Sequence, residues 1–268
     1  MRANWAEISR AALRFNWMAF RRRRPRPAAG APPLRLCAVV KANAYGHGLL
    51  ECAQVFVAAG AEWLAVTDTA EALALRQGGI AARILVLGDF DREDAQEIVR
   101  HRLTPTVWTR AQADRLARAG ARHRRPPGLP LAVHLKLDTG MARIGAAPAE
   151  FAALARHAAA CGLAVEAAYT HLASAEGPAA GVAAQMRRLR AALAALDRRL
   201  LAPGFFWHAA NSAAAWRWPA AGRPGLPGAV RQLDAAGMVR VGLGLYGSCL
   251  VPGAEAALRP VLAWKTRI

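Results

Sequence analysis

Residues 36–41 read Leu36-Cys37-Ala38-Val39-Val40-Lys41, and this short stretch decides the predicted fold. It is apolar at every position before the lysine instead of alternating, which is typical of a strand covered on both faces. Similar apolar runs recur along the chain, with helical patterns between them. The predicted strands are Cys37–Lys41, Trp63–Val66, Ile84–Leu87, Thr104–Val107, Ala132–Leu137, Val165–His171, Phe205–Ala210 and Val239–Gly242.

Eight strands that alternate with helices over roughly 250 residues indicate the α/β class and a (β/α)8 barrel of the TIM type. A doubly wound parallel sheet shows the same alternation and stays open as the alternative. The tail Leu258–Ile268 begins like one more strand, for which the pattern offers no partner. The Pro- and Gly-rich segment Pro219–Pro227 predicts a loop.

The helices between the strands carry start and stop signals. Asn4 and Glu7 have the spacing of a capping box, which predicts that the first helix begins there. Val182 opens the clearest helical face, on which apolar residues recur at spacings of four and three as far as Leu200. Other helices are predicted at Leu49–Gly60, Asp91–Arg100, Thr109–Ala119 and Pro148–Ala160.

The composition excludes several classes of protein. With 268 residues, 54% of them hydrophobic and 20% charged, the chain is not a disordered one. No apolar stretch reaches the roughly 20 residues of a membrane helix, and the N-terminus lacks the core of a signal peptide, so we expect a cytoplasmic protein without membrane contact. The four cysteines have no paired spacing, which predicts reduced, buried thiols and neither disulfides nor a metal site.

The net charge of +18 raises the hypothesis of an Arg-rich module that binds nucleic acid. All but three of the 36 basic residues are arginine, and they do not cluster with aromatic residues in a reading motif. The densest run, Arg21–Pro27, is predicted to be a solvated loop. No specific nucleic-acid partner is therefore expected, and this hypothesis leaves the motifs at the strand ends unexplained.

In a barrel the functional groups lie where strands end, and Lys41 is the most informative of them. Burial at the end of an apolar strand lowers the pKa of an amine, as a covalent nucleophile requires, although an ordinary surface lysine would have the same position. Asn211-Ser212 and Gly242-Leu243 follow the last two strands, where barrels commonly bind phosphate. The alternative is that Ser212 only caps the next helix.

The stretch Val39-Val40-Lys41-Ala42-Asn43-Ala44-Tyr45-Gly46-His47-Gly48 resembles the cofactor-attachment signature of the alanine racemases, which depend on pyridoxal 5'-phosphate. The resemblance extends over essentially the whole chain. The further matching segments, in the same order, are His134–Gly145, Tyr169–His171, Asn211-Ser212 and Arg240–Gly247. The resemblance implies a barrel followed by a C-terminal β-domain, a homodimer, and the interconversion of L- and D-alanine for peptidoglycan.

The resemblance also implies a role for each matching residue. Lys41 would hold the cofactor and act as one of two catalytic bases. Arg143 would face the substrate carboxylate, and Lys136 matches a lysine that is carboxylated in some members. His171 would pack against the cofactor ring, and Arg240 would face its pyridine nitrogen. The residues implied for the phosphate are Tyr45, Asn211, Ser212, Gly242 and Leu243.

The implied division places the barrel in residues 1–247, and a linker with the first strand of a truncated C-terminal β-domain in 248–268. In the family the second base is a tyrosine of that domain, and none of the tyrosines Tyr45, Tyr169 and Tyr246 matches it. We therefore expect this 268-residue form to be impaired in racemase activity. Two alternatives stay open: a single-barrel protein that binds pyridoxal phosphate without racemase activity, and a racemase of broader range that accepts serine or lysine.

Overall fold

Eight parallel strands close into a barrel in the computed structural model, which describes residues 4–24, 34–123, 130–217 and 237–267. Each strand pairs with its neighbours in chain order, and β2 pairs with β9 to complete the ring. The barrel strands are β2 (Arg35–Val39), β3 (Trp63–Val66), β4 (Arg83–Val86), β5 (Thr104–Val107), β6 (Ala132–Lys136), β7 (Ala164–Tyr169), β8 (Leu201–His208) and β9 (Met238–Val241). The predicted (β/α)8 barrel is confirmed, and the open doubly wound sheet is wrong.

Helices surround this barrel, and several begin where the sequence predicts. Asp91 and Thr109 each form a capping box, which fixes the starts of α5 and α6. The helices are α1 (Arg10–Arg22), α2 (Lys41–Gly46), α3 (Leu49–Ala58), α4 (Thr69–Gln77), α5 (Arg92–Arg100), α6 (Arg110–Arg122), α7 (Phe151–Ala160), α8 (Ala179–Ala194) and α9 (Ser212–Arg217). Short 3-10 turns span Arg198–Leu200, Leu243–Tyr246 and Glu255–Ala257.

Neighbouring residues of β2, β3, β4, β7, β8 and β9 enter two separate apolar clusters. Trp63 and Leu85 pack with residues of the opposite strands inside the barrel, whereas Leu64 and Ile84 pack outward against the helices. Because both faces are covered, strands such as β3 are apolar throughout. This is the physical basis of the continuous apolar runs in the sequence.

The N-terminus differs from the prediction. Asn4–Ile8 forms strand β1, which pairs antiparallel with β10 (Leu262–Thr266), and α1 begins after Ser9, whose side chain accepts from the Ala12 N–H. Glu7 does not cap a helix, because its carboxylate lies 2.6 Å from Lys265 Nζ across the two strands. The predicted tail strand is thus present but paired. The division of the chain at residue 247 stays a prediction.

The arginine run and the cysteines also need correction. Arg21 and Arg22 belong to α1, and Arg24 donates to the Leu34 carbonyl at 2.9 Å, so this part of the run is not a solvated loop. Residues 25–27 and Pro219–Pro227 lie outside the described residues. Of the cysteines, Cys161 is only partly buried and has polar neighbours, whereas the other three are buried as predicted. No helix in the described ranges is long and apolar enough to span a membrane.

One buried side chain joins α1 to the segment that follows the barrel. The Asn16 amide donates to the Leu245 carbonyl at 3.0 Å and to the Arg259 carbonyl at 2.8 Å. Its oxygen accepts from the Arg259 N–H at 2.8 Å. Asn16 is fully buried, so these three backbone groups depend on it for their hydrogen bonds.

We therefore expect Asn16→Leu to lower the free energy of unfolding by about 3 kcal/mol or more, because each buried polar group left without a partner costs about 1–3 kcal/mol. Urea denaturation followed by circular dichroism measures this loss. Asn4→Leu, at an exposed position in β1, is the control and should change the value by less than about 0.5 kcal/mol. Equal urea midpoints for the two variants would contradict the stabilising role of the Asn16 hydrogen bonds.

Candidate active site

A left-handed helical turn follows β2 and begins directly after Lys41. Ala42, Asn43, Ala44 and Tyr45 have φ angles of 54°, 53°, 54° and 53°. For residues with a Cβ this conformation costs about 1–2 kcal/mol each, so it persists only where the surroundings impose it. Strain of this kind is concentrated at functional sites, which makes the turn the first indication of one here.

Hydrogen bonds from Glu71 and Asn43 hold this turn in place. The Glu71 carboxylate accepts from the Asn43 N–H and from the Thr67 N–H, both at 2.9 Å. The Asn43 side-chain oxygen accepts from the Leu49 N–H at 2.8 Å, which joins the turn to the start of α3. The resulting backbone brings Lys41 and Tyr45 to the end of the barrel where the strands terminate.

The Tyr45 hydroxyl lies directly against Gly242, the first residue after β9. A Cβ added at Gly242 would lie 2.5 Å from the Tyr45 oxygen, so a larger residue there would have to displace the tyrosine. The Ser212 hydroxyl accepts from the Gly242 N–H at 2.9 Å and from the Gly244 N–H at 3.2 Å. Because its oxygen accepts from two N–H groups, the Ser212 hydroxyl is left to donate, and together with the Tyr45 hydroxyl it can bind an anion such as phosphate.

Asn211, and not Ser212, caps the helix at this point. The Asn211 side-chain oxygen accepts from the Ala214 N–H at 3.0 Å, as an N-cap residue does, while Ser212 is the first residue of α9. The interpretation of Ser212 as a cap is therefore wrong. Leu243, the remaining residue of the predicted phosphate site, opens the 3-10 turn after Gly242 and is half exposed.

Positive groups from several strand ends act on His171, two residues after β7. Burial and the charges of Arg240, Lys136, Arg143 and Lys41 lower the pKa of His171 to about 3, so its ring is neutral at pH 7. Lys136, at the end of β6, is buried as well. Burial, together with Arg240, Arg143 and Lys41, lowers the pKa of Lys136 to about 7. The fold thus brings all five predicted side chains into one electrostatic neighbourhood.

Acidic groups do little to balance these charges. Asp138 opposes the positive field at Lys136, but one of its oxygens accepts from the backbone N–H groups of Gly140, Met141 and Ala142. The carboxylate therefore shapes the loop that carries Arg143. The excess positive charge favours a ligand with anionic groups, such as a phosphate and a carboxylate.

The guanidinium of Arg240 is buried and donates several hydrogen bonds. It donates to the Thr170 carbonyl at 2.9 Å and to the Ala209 carbonyl at 3.3 Å, and it lies over the Tyr169 ring. It also donates to His208 Nδ1. Burial lowers the pKa of Arg240, yet an arginine retains its charge in proteins.

A chain of hydrogen bonds leads from Arg240 to the other end of the barrel. His208 Nε2 lies 3.1 Å from His134 Nδ1, and His134 Nε2 lies 3.3 Å from the Glu166 carboxylate. Glu166 forms two hydrogen bonds with Arg83, at 2.5 and 2.7 Å. We call this chain the barrel relay: Arg240, His208, His134, Glu166 and Arg83.

The barrel relay fixes the tautomers of both histidines. A guanidinium only donates, so His208 must accept at Nδ1 and carry its proton on Nε2. The same reasoning places the His134 proton on Nε2, from which it is donated to Glu166. Burial lowers the pKa of each histidine, which is consistent with neutral rings. The sequence motifs assign no role to His208, Glu166 and Arg83, because only the closed barrel brings them together.

The comparisons with known proteins agree with this geometry. The family model "Alanine racemase, N-terminal domain" matches residues 8–249. The chain belongs to the alanine racemase family. It is 38% identical over 272 residues to the alanine racemase of Symbiobacterium thermophilum and 39% identical over 276 residues to that of Synechocystis. These alignments cover 100% and 98% of this chain and 66% of each relative, so the chain spans about two thirds of their length.

Solved structures of alanine racemases show the same fold. That of the enzyme from Streptomyces lavendulae, a D-cycloserine producer, superposes with a TM-score of 0.83 at 30% identity. The alignment covers 99% of this chain and 65% of that one. The enzyme from Streptomyces coelicolor A3(2) gives a TM-score of 0.81 at 34% identity, over 98% of this chain and 66% of that one. The family resemblance stated from the motifs is confirmed.

Through Glu166, the barrel relay makes the folding stability of this racemase-family chain depend on pH. Burial alone would raise the pKa of Glu166, but hydrogen bonds from His134 and Arg83 outweigh it and hold the pKa at about 2, below the ordinary 4.5. The stabilisation is therefore complete above pH 4.5 and is lost as the pH falls through about 2.

We expect Glu166→Gln to be less stable than the parent chain above pH 4.5 and to show a flatter decline of stability with acid, because the amide does not titrate. Urea midpoints measured between pH 5 and pH 2 test this. Glu255→Gln, in an exposed 3-10 turn, is the control and should retain the parent slope. Identical slopes for Glu166→Gln and the parent would contradict the relay.

Proposed function

We propose that this chain is the cofactor-bearing barrel of an alanine racemase, an isomerase that interconverts L- and D-alanine with pyridoxal 5'-phosphate attached to Lys41. The single observation that carries the proposal is the meeting of the Tyr45 hydroxyl, the Ser212 hydroxyl and the Gly242 N–H beside the strand that delivers Lys41. This arrangement combines an anion cradle with an amine. The physiological role proposed is the supply of D-alanine for peptidoglycan in the cytoplasm.

The residues present fit that cofactor. The Tyr45 and Ser212 hydroxyls would hold the phosphate by donating their O–H groups. The Gly242 and Gly244 N–H groups would hold Ser212 in position, because both donate to its oxygen. Asn211 and Leu243 flank this cradle and would shape it. The neutral ring of His171 suits packing against a heteroaromatic ring, since it adds no charge of its own.

Arg240 would face the ring nitrogen of the cofactor and would favour racemisation. When bound, pyridoxal phosphate withdraws electrons from the substrate's α-carbon, which makes the proton there acidic. Arg240 keeps its own proton and is held by the Thr170 and Ala209 carbonyls, so it can only donate to the nitrogen and never protonates it. A weaker electron sink favours return of the proton to the α-carbon, as racemisation requires.

The amine of Lys41 would take and return the α-proton on one face of the substrate, and Arg143 would bind the substrate carboxylate. Arg143 is exposed at the rim of the site, where a small amino acid can reach it. Lys136 is close enough for the charges of Lys41 and Arg143 to act on it, and it is half deprotonated near pH 7. A carboxylated Lys136 would carry a negative charge and hold the Arg143 guanidinium in place.

The proton on the opposite face needs a second donor, and the tyrosines of this chain are unsuited to it. Tyr246 donates to the Val39 carbonyl at 3.1 Å, and Tyr169 is bonded to Thr106 at 2.9 Å. Tyr45 belongs to the cradle, and burial raises its pKa to about 12. As the family resemblance implies, we place the second donor on a tyrosine of a partner subunit in a homodimer.

Two measurements test the proposed function. Borohydride reduction after incubation with pyridoxal phosphate, followed by peptide mapping, should place the label on Lys41. Exchange of the α-proton of L-alanine in deuterated water, followed by NMR, should proceed with the parent chain. Lys41→Arg should abolish both, a rate loss of at least about 10²–10⁴-fold for a positioned base. Lys265→Arg, an exposed lysine, is the matched control.

Each outcome distinguishes the alternatives. A label on Lys41 without α-proton exchange would support a single-barrel protein that binds the cofactor without racemase activity. Exchange of serine or lysine at the rate of alanine would support a racemase of broader range. A label on Lys136, or no label at all, would contradict the assignment of Lys41.

Lys136 gives an independent test because its amine loses a proton near neutral pH. Carboxylation joins the neutral amine to CO2 and releases one proton, so its extent should rise as the pH increases through about 7 and fall below it. With ¹³C-bicarbonate we expect one carbamate resonance in the NMR spectrum. It should vanish in Lys136→Gln and persist in Lys265→Gln. A resonance that survives Lys136→Gln would contradict this site.

A further inference from the structure

A second group of chemically competent side chains lies in the outer helical layer, between α6 and α7. Asp114 belongs to α6, His157 to the last turn of α7, and Cys161 follows α7 directly. Because His157 and Cys161 are four residues apart, they lie on the same face, which here points to Asp114. Among residues 4–24, 34–123, 130–217 and 237–267 this is the one cluster that meets the spacing of a metal site.

The separations between the three ligand atoms are close to those around a tetrahedral ion. Zinc–sulfur and zinc–nitrogen or –oxygen bonds of about 2.3 and 2.0–2.1 Å place the sulfur about 3.5 Å from each of the other two atoms. Cys161 Sγ lies 3.7 Å from His157 Nε2 and 3.6 Å from Asp114 Oδ1. The third edge, from His157 Nε2 to Asp114 Oδ1, is 2.7 Å and must widen to about 3.3 Å.

That widening needs only a small rotation of one carboxylate. The Asp114 side chain is 40% exposed and the His157 side chain 30% exposed, so the atoms are held in position yet reachable from solvent. We propose that Asp114, His157 and Cys161 bind a zinc ion through one oxygen, one nitrogen and one sulfur, with water as the fourth ligand. The mixed set selects zinc over magnesium and calcium, which bind oxygen ligands.

Binding would neutralise the charges of the cluster. Burial, and then the Asp114 carboxylate, raise the pKa of the Cys161 thiol, while the hydrogen bond from His157 lowers the pKa of Asp114. Zinc therefore meets one carboxylate and one thiol. The S–H bond breaks and its proton goes to solvent as a zinc–sulfur bond forms. His157 gives up its Nε2 proton to solvent and takes one up on Nδ1, so the neutral ring binds zinc through Nε2. The two charges of the ion are then balanced by carboxylate and thiolate. Arg118, whose charge acts on both groups, favours the thiolate.

This site would join α6 to α7 without touching the residues of the proposed racemase chemistry. Asp114 and His157 are 43 positions apart in the chain, so the spacing rules that identify zinc sites in a sequence do not include them. The prediction of four buried cysteines was wrong at the same place: Cys161 is only partly buried, and the packing of two helices brings the Asp114 carboxylate to it.

Cobalt(II) titration of the intact, chelator-treated chain tests the proposal. We expect one equivalent to give a near-ultraviolet thiolate-to-cobalt band with tetrahedral visible absorption, released by one equivalent of zinc. Cys161→Ser should remove the thiolate band, and His157→Ala should weaken binding more than about tenfold, since even outer partners of a metal matter that much. His101→Ala is the matched control, because His101 pairs with Glu97 at 3.2 Å but has no thiol beside it.

Thermal unfolding gives the second measurement. Zinc should raise the midpoint of the parent chain and leave that of Cys161→Ser unchanged, while the two metal-free midpoints agree. A missing thiolate band, a band that survives Cys161→Ser, or a zinc effect equal in both chains would overturn the site. Borohydride labelling of Lys41 should be the same in all these variants, so failure of the zinc site and failure of the proposed function are distinguishable.

Discussion

The buried charge of Arg240 is the constraint on which the interior of this barrel depends. Removing a guanidinium from water costs several kcal/mol unless its N–H groups find acceptors. Two backbone carbonyls and His208 provide them, and His208 can accept only if its own proton is on the opposite nitrogen. That requirement is passed to His134 and then to Glu166, so one buried cation determines the protonation of three residues on neighbouring strands.

Arg83 completes this chain near the opposite end of the barrel. Its side chain is 44% exposed and binds the Glu166 carboxylate with both nitrogens, so the negative charge is compensated where water can still reach the pair. The barrel thus contains a polar axis within an apolar interior. Arg240 is thus held by a chain of contacts that extends along the strands. This chain explains why polar residues interrupt β6, β7 and β8.

The sequence predicts those parts of the structure that depend on local pattern. The apolar runs locate all eight barrel strands, and caps such as Asp91 locate helix starts, because these signals lie within a few residues. The predicted helix start at Asn4 is wrong for the opposite reason. Asn4–Ile8 pairs with β10, which is more than 250 positions away, and this pairing outweighs the local capping pattern. The barrel relay likewise depends on contacts that only the fold creates, whereas the Asn211 cap is a local contact over three residues.

The left-handed turn and the cationic site are two parts of one electrostatic arrangement. The Glu71 carboxylate accepts from backbone N–H groups of the turn, and the Asp138 carboxylate does the same in its own loop, so both acids hold the backbone around the site. Burial, together with the charges of Arg240, Lys136, Arg143 and Lys41, leaves His171 neutral at pH 7. Burial, with Arg240, Arg143 and Lys41, lowers the pKa of Lys136 to about 7. The acids of the site thus build its backbone, and the cations gathered beside them favour an anionic ligand.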